Sequence, residues 1–313
     1  MKRLKILLSL FNVRPGEERS TVLMFGHAFA MGMSTSFFET AATALFLVRF
    51  DEKILPYIYI AAAVVNTLTG IVYSRIGDRT SFANLMRLTL IFLFVVVCAL
   101  WLGISLTEVS WLLFGLLIWY RVLSSLTDLE YWAVAMRLYD VRQGKRLFSF
   151  IGSGEVVARI ASSFSAPLLI GLVGVTNLLL LSAIGLALSL LFLTVILRLF
   201  SDKLSSQQTP DKRDEGESKK GGWKQMAFLL QNRYLALMAF TTISAILAKY
   251  FVDFGFLAEV QARNDDVTNL ARFFAIFSGV TQVINLVIRM FLFLWHSLPQ
   301  SPIRQTSALQ KQH

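Results

Sequence analysis

Residues 177–200 read NLLLLSAIGLALSLLFLTVILRLF. These 24 residues hold one ionisable side chain, Arg198, close to the end of the run. About 20 consecutive apolar residues suffice to cross the hydrocarbon core of a bilayer, so the stretch predicts a transmembrane helix. Seven further runs of the same kind follow from the chain: Thr21–Val48, Ile54–Ile76, Leu85–Leu106, Trp111–Leu138, Phe148–Val173, Tyr234–Val260 and Leu270–Leu294. Backbone polar groups in lipid must be bonded within the segment, so each run is expected to be a helix. The longer ones must tilt or protrude.

Composition points the same way. Of 313 residues, 55% are hydrophobic and 16% charged, against roughly 25% charged in soluble domains, and the mean hydropathy is +0.60. Phenylalanine occurs 26 times, which suits a lipid-facing surface. The fold class expected is therefore all-α, a polytopic helical membrane protein of about eight transmembrane helices. The single cysteine, Cys98, lies in an apolar run and excludes an internal disulfide.

The formal charge is +10. A basic chain can signal nucleic-acid binding, but here the lysines and arginines fall in short segments between apolar runs, which is a topology signal. Taking the N-terminus as cytoplasmic, the five inner segments hold five, three, four, eight and two basic residues, 22 in all. The outer segments hold four: Arg49, Lys53, Arg263 and Arg272. The excess places the N-terminus inside. The partner expected is a lipid bilayer, with no nucleic acid.

The ends and the middle differ from the spans. Residues 1–20 mix Lys2, Arg3 and Lys5 with Ile6, Leu7, Leu8, Leu10 and Phe11 and lack a small-residue cleavage site. They predict a cytoplasmic amphipathic helix lying on the inner membrane surface. With no targeting peptide recognised, a bacterial cytoplasmic (inner) membrane is the expected location. Residues 201–233, with Ser205-Ser206-Gln207-Gln208-Thr209-Pro210 and then a mixed charge run, have the composition of a disordered basic cytoplasmic loop. That loop separates a first bundle of six helices, residues 21–200, from two helices of a second bundle, residues 234–295. A six-plus-six transporter has such a loop between its halves. The Gln-rich tail, 296–313, contains two prolines. If twelve spans are needed, four are missing, and a truncated or frameshifted chain is expected.

No Walker loop, nucleophile elbow, zinc-spaced Cys/His set or dinucleotide fingerprint is present. The chain is not expected to be an enzyme, and no cofactor or metal is expected. His27, His296 and His313 are scattered, and His27 reads as a buried, hydrogen-bonded side chain.

The chemistry lies in ionisable residues within the spans, which cost several kcal/mol and therefore face a bundle interior or a cavity. They are Glu39 in the first span; Arg121, Asp128 and Glu130 in the fourth; Glu155 and Arg159 in the fifth; Lys249 and Asp253 in the seventh; and Arg289 in the eighth. Arg121 and Asp128 share a helix face. Glu155 and Arg159 are at i,i+4, as are Lys249 and Asp253, so each pair can meet on its own helix. Asp128, Glu155 and Arg159 sit at similar depth and are expected to form one network. Glu39 and Lys249 can pair across the central axis. Glu155–Arg159, among Gly152, Ser153, Gly154, Ala158, Ser162 and Ser163, reads as a structural ion pair where small residues bring helices close. Trp119-Tyr120 and Tyr131-Trp132 bracket the charged part of the fourth span. They read as helix and lipid packing, with base stacking as the alternative.

Two stretches carry a family resemblance. Gly70-Ile-Val-Tyr-Ser-Arg-Ile-Gly-Asp78-Arg79-Thr-Ser-Phe-Ala83 resembles the cytoplasmic loop signature of the major facilitator superfamily through Asp78-Arg79, although Thr80 and Ser81 replace the Gly and basic residue of the pattern. Lys249-Tyr-Phe-Val-Asp253-Phe-Gly-Phe-Leu-Ala, Leu270-Ala-Arg-Phe-Phe-Ala-Ile-Phe-Ser-Gly279 and Ala44-Leu-Phe-Leu-Val-Arg-Phe-Asp-Glu-Lys-Ile-Leu-Pro56-Tyr-Ile-Tyr59 resemble the bacterial relatives of the ATP/ADP translocases. The likeness covers roughly residues 15 to 295. It implies a major-facilitator-like fold, Asp78 and Arg79 in a gating loop, and exchange or uptake of nucleotides. The lysine that nucleotide exchangers carry after a Pro-Phe pair is absent; Pro56-Tyr57-Ile58 runs into Tyr59.

These readings lead to a transporter working by alternating access on a nucleotide or other small organic anion. Arg121 and Lys249 are the expected anion contacts. Glu39, Asp128, Glu130 and Asp253 are expected to set charge balance or carry protons. The rivals are a non-transporting membrane scaffold or sensor and a non-functional fragment.

Overall fold

The computed structural model describes residues 13–14, 16–107, 110–206, 233–263 and 266–297. The amphipathic segment expected over residues 1–12, most of the polar loop (207–232) and the tail (298–313) lie outside the described residues, as does the side chain of Arg289.

Eight long helices follow one another: α1 Glu18–Arg49, α2 Leu55–Gly77, α3 Phe82–Leu106, α4 Ser110–Leu138, α5 Val141–Val173, α6 Leu178–Leu199, α7 Arg233–Arg263 and α8 Val267–Ser297. A 3-10 turn, Glu52–Ile54, precedes α2, and a short helix, Ser201–Ser206, follows α6. Among the described residues there is no strand, and all eight long helices are long and apolar enough to cross a membrane. The protein is an all-α polytopic membrane protein.

Most helix ends lie within a few residues of the expected spans. The exception is α5, which begins at Val141 rather than Phe148. Val141 to Arg146 is too polar to read as bilayer-spanning, yet Asp140 caps it: its side chain and that of Gln143 form a reciprocal capping box. The first two turns are therefore helix outside the apolar run. The other end of α5 is set by Gly174, whose φ of +84° suits glycine. At α2, Pro56 occupies the first turn, where a missing N–H costs nothing.

α1 is the axis of the bundle and the most buried of the eight helices. It runs parallel to α5 and antiparallel to α6, and glycine permits both contacts. A Cβ on Gly154 would lie 2.6 Å from the Phe25 carbonyl oxygen, and one on Gly32 would lie 2.6 Å from that of Glu155. A Cβ on Gly185 would meet Ser34 N at 2.9 Å and Ala30 O at 3.0 Å. Hydroxyl pairs add to these approaches: Ser34–Ser182 at 2.9 Å and Ser36–Ser163 at 3.3 Å. Close backbone approach plus interhelical hydrogen bonding is how helices associate where lipid is as apolar as the side chains. Of the small residues expected to serve this purpose, Gly154, Ala158, Ser162 and Ser163 are buried, while Gly152 and Ser153 are half-buried.

At the end of the bundle where α1 begins, a charged clamp joins α1 to α5. Arg146 Nη2 donates to both Glu17 carboxylate oxygens at 2.8 Å, Gln143 Nε2 donates at 2.9 Å and the Arg14 backbone N–H at 3.1 Å. Burial pushes the Glu17 carboxyl up, but the bonds from Arg14, Gln143 and Arg146 and the Arg146 charge outweigh it, leaving Glu17 below its ordinary value of 4.5. At the same end, Arg137 lies over the Phe82 ring, 3.8 Å from its centroid, and ties α4 to α3. α2 meets α4 through Asn66–Ser125 at 2.9 Å, and Trp101 on α3 donates to Asn177 at 2.9 Å.

α8 packs along α5, with Gly279 against Ser163 and Phe164. α7 does not pack in the same way. From Arg233 to Lys249 it is exposed apart from a half-buried Ala236, and its contacts gather towards its C-terminal end, where Val260 is buried.

Candidate functional site

A cavity of about 390 Å³ lies between α1, α2, α4, α5, α7 and α8. Its polar wall contains Glu39, Arg121, Arg159, Lys249 and Asp253, with Thr40, Thr43, Ser278, Thr281 and Gln282. Its apolar wall contains Leu55, Ile58, Leu117, Phe256, Phe274 and Phe277.

The charges are not equivalent. Arg159, only 16% exposed, is held between Glu155 Oε1 at 2.9 Å and Glu39 Oε2 at 3.5 Å. Tyr120, buried, lines the cavity beside them. Arg159 is thereby neutralised and fixed. The guanidinium of Arg121 has aromatic neighbours instead, 5.7 Å from the Tyr120 centroid and 5.8 Å from that of Tyr250. Tyr250 in turn packs on Tyr59 at 4.7 Å. Lys249 is exposed and Asp253 half-buried. They sit one turn apart on α7, yet neither forms an ion pair with the other or with any described residue. The Tyr59 hydroxyl is buried in the same wall with no hydrogen-bond partner among the described residues.

Gln261 Nε2 donates to the Leu47 carbonyl at 2.6 Å and the Phe50 carbonyl at 2.7 Å, latching the end of α7 onto the end of α1. Phe46 and Phe50 stack there at 4.9 Å, with Phe114 edge-on to Phe50 at 6.4 Å. Towards its other end α7 is exposed, apart from half-buried Ala236.

The remaining expected site residues sit elsewhere. Glu155 and Asp128 border a separate crevice of about 10 Å³ with Thr35, Thr127 and Tyr131, a space of about one water. The network expected of Asp128, Glu155 and Arg159 is present in part. Glu155 bonds Arg159, whereas Asp128 is exposed and forms no ion pair among the described residues. Glu130 faces away from the cavity. Its Oε2 lies 3.0 Å from His27 Nε2, both side chains being 0% exposed, and His27 Nδ1 lies 3.1 Å from the carbonyl and from the hydroxyl of Ser189. Glu39 and Lys249 share the cavity, but the partner of Glu39 is Arg159. Asp78 and Arg79 occupy the turn after α2 and form no ion pair among the described residues. The sequence reading missed Gln261, Tyr59 and Tyr250. A tyrosine in mid-span, Tyr250, was a usable signal, whereas Tyr59 near the start of α2 and a glutamine near a helix end carry none. Trp119 and Tyr131 do pack, on Phe92 at 5.6 Å and beside His27 at 6.3 Å, while Tyr120 lines the cavity.

Among the described residues no three His, Cys, Asp or Glu side chains come together as a metal site. What the helices define is a membrane protein with a charged, aromatic-lined cavity inside its bundle. The chain matches no protein-family model, no curated protein and no solved structure.

Proposed function

We propose that this chain is a secondary transporter of major-facilitator type that moves an organic solute carrying an anionic group by alternating access. The observation that carries the reading is the cavity where Arg121, Lys249 and Asp253, without ionic partners among the described residues, face one space between the first six helices and α7–α8. Unpaired ionisable side chains in membrane-spanning helices are costly and by default point to a functional role. The Gln261 latch at one end of α7 and its exposed first half at the other suit a site reached from one side at a time. The resemblance to ATP/ADP translocase relatives makes a nucleotide one candidate solute. The excess of basic residues in alternate connections supports a cytoplasmic N-terminus, and a bacterial inner membrane is the proposed location.

The test is uptake by the purified protein in sealed proteoliposomes, using labelled ATP, ADP and a panel of small organic anions and amino acids. Arg121→Ala and Lys249→Ala should each abolish uptake while the protein stays folded and monodisperse. Uptake that survives both changes removes the cavity as the site. A protein that moves nothing favours a membrane scaffold or sensor.

A further inference from the structure

The cavity's charge pattern narrows the solute, on the reading that this chain is a transporter. Of its five charged side chains, Glu39 and Arg159 satisfy each other, with Glu155 adding a second carboxylate to Arg159. That leaves Arg121, Lys249 and Asp253 without ionic partners among the described residues. The three line one cavity. Arg121 lies over Tyr250, Lys249 precedes that residue, and Asp253 follows one turn on. The same cavity is lined by Phe256, which stacks on Phe277 at 4.5 Å, by Phe274, edge-on to Phe256 at 6.3 Å, and by the fully buried Leu55 and Ile58.

We propose that the solute is a zwitterion with an apolar side, an α-amino acid bearing a large aliphatic or aromatic side chain, rather than a polyanion. Its carboxylate bonds to Arg121 and Lys249, where charge-assisted hydrogen bonds are strongest. Its ammonium meets Asp253, and the Tyr59 hydroxyl, without a hydrogen-bond partner among the described residues, lines the same cavity. Its side chain lies on the phenylalanine wall. A nucleoside triphosphate, with about four negative charges at neutral pH, would find two free cations and would press a phosphate towards Asp253. Uncompensated charge taken out of water costs several kcal/mol. The volume, about 390 Å³, lies at the lower end of the roughly 300–1,000 Å³ seen for small-molecule sites.

The experiment measures binding and uptake by the whole protein in proteoliposomes. The probes are L-phenylalanine, L-leucine, 3-phenylpropionate (no ammonium), 2-phenylethylamine (no carboxylate) and ATP. The expected result is that phenylalanine or leucine binds at least about tenfold tighter than either truncated analogue, since each analogue leaves a charged wall group unpaired, and that ATP neither binds nor competes. Asp253→Asn should weaken amino-acid binding about tenfold and leave 3-phenylpropionate unchanged or tighter. Because Asp253 lies on sparsely packed α7, this variant should fold, and the 3-phenylpropionate arm reports that the site is intact. The proposal is overturned if ATP binds more tightly than the amino acids, if 3-phenylpropionate equals phenylalanine, or if Asp253→Asn leaves phenylalanine binding unchanged. ATP uptake abolished by Arg121→Ala would sink the zwitterion while sparing the transporter. No binding and no uptake of any probe would sink both.

Discussion

Substituting the buried His27–Glu130 pair should reveal how polar groups are carried in the dry part of the bundle. Both side chains are 0% exposed, 3.0 Å apart, and the second oxygen of Glu130 has no hydrogen-bond partner among the described residues. His27→Leu removes the one bond that satisfies Glu130 and strands its carboxyl group, a loss of about 3–5 kcal/mol for breaking one side of a buried pair. Glu130→Met strands the imidazole less severely, because His27 keeps its contacts to Ser189 at 3.1 Å; about 1–3 kcal/mol is expected for one lost partner. The double variant, His27→Leu with Glu130→Met, deletes both polar groups at similar volume and should return to within about 1.5 kcal/mol of the parent. The coupling between the two sites is then several kcal/mol, far beyond the additivity of independent positions. Equilibrium unfolding in mixed micelles, followed by tryptophan fluorescence, gives the four free energies. Additive losses, or a double variant as unstable as His27→Leu alone, would refute the pairing argument.

Three further outcomes follow from named contacts. Gly154→Ala places a methyl 2.6 Å from the Phe25 carbonyl oxygen, and since that contact is backbone, α1 and α5 must separate; a loss of about 1–3 kcal/mol is expected in the same unfolding assay, and an unchanged midpoint would contradict the close approach. Glu17→Gln should cost about 1.5–3 kcal/mol at pH 7. Glu17 is held below its ordinary 4.5, so its contribution is complete above that value and is lost as pH falls through the lower, folded value; parent and variant should converge in acid, and an equal gap at pH 7 and pH 3 would count against the clamp. Gln261→Ala removes two hydrogen bonds to the end of α1 and should raise the labelling rate of Thr43→Cys, in a Cys98→Ser background, about tenfold with a membrane-impermeant maleimide added from the latched side. Unaltered labelling would show that the latch closes nothing.

The helices were legible because lipid leaves the backbone one way to bond, and the runs of apolar residues mark where that happens. The start of α5 was not, because its first turns lie beyond the apolar run and are fixed by the Asp140–Gln143 box, which hydropathy does not register. In the site, the Glu155–Arg159 pairing followed from i,i+4 spacing. The partition of the other charges did not. Whether Glu130 faces His27 or a cavity depends on the rotation of α4 against α1 and α6, and residues 103 apart carry no local signal of that rotation. Lys249 and Asp253 have the spacing to pair and form no ion pair with each other, although both line the cavity.

The division of contacts says which part of a transporter of this kind would move. α1 is bound to α5 and α6 by glycine contacts too close for any side chain, and to α5 again by the Glu17–Arg146 clamp. Glu39 and Arg159 therefore belong to a body that shifts as one. Among the described residues, α7 has no comparable glycine contact or charged clamp to α1, α5 or α6. Gln261, Val260, the Phe256 stack and the Tyr250 contacts hold its second half. Lys249 and Asp253 travel with α7, whereas Arg121 stays with α4. A solute bridging Arg121 to Lys249 and Asp253 would join the fixed body to the loose helix, and its binding energy could then offset the loss of the Tyr59–Tyr250 packing or the Gln261 latch. A ligand shifts a conformational equilibrium only by its difference in affinity for the two states. Here that difference would come from the one set of charges whose members lie on both sides of the joint.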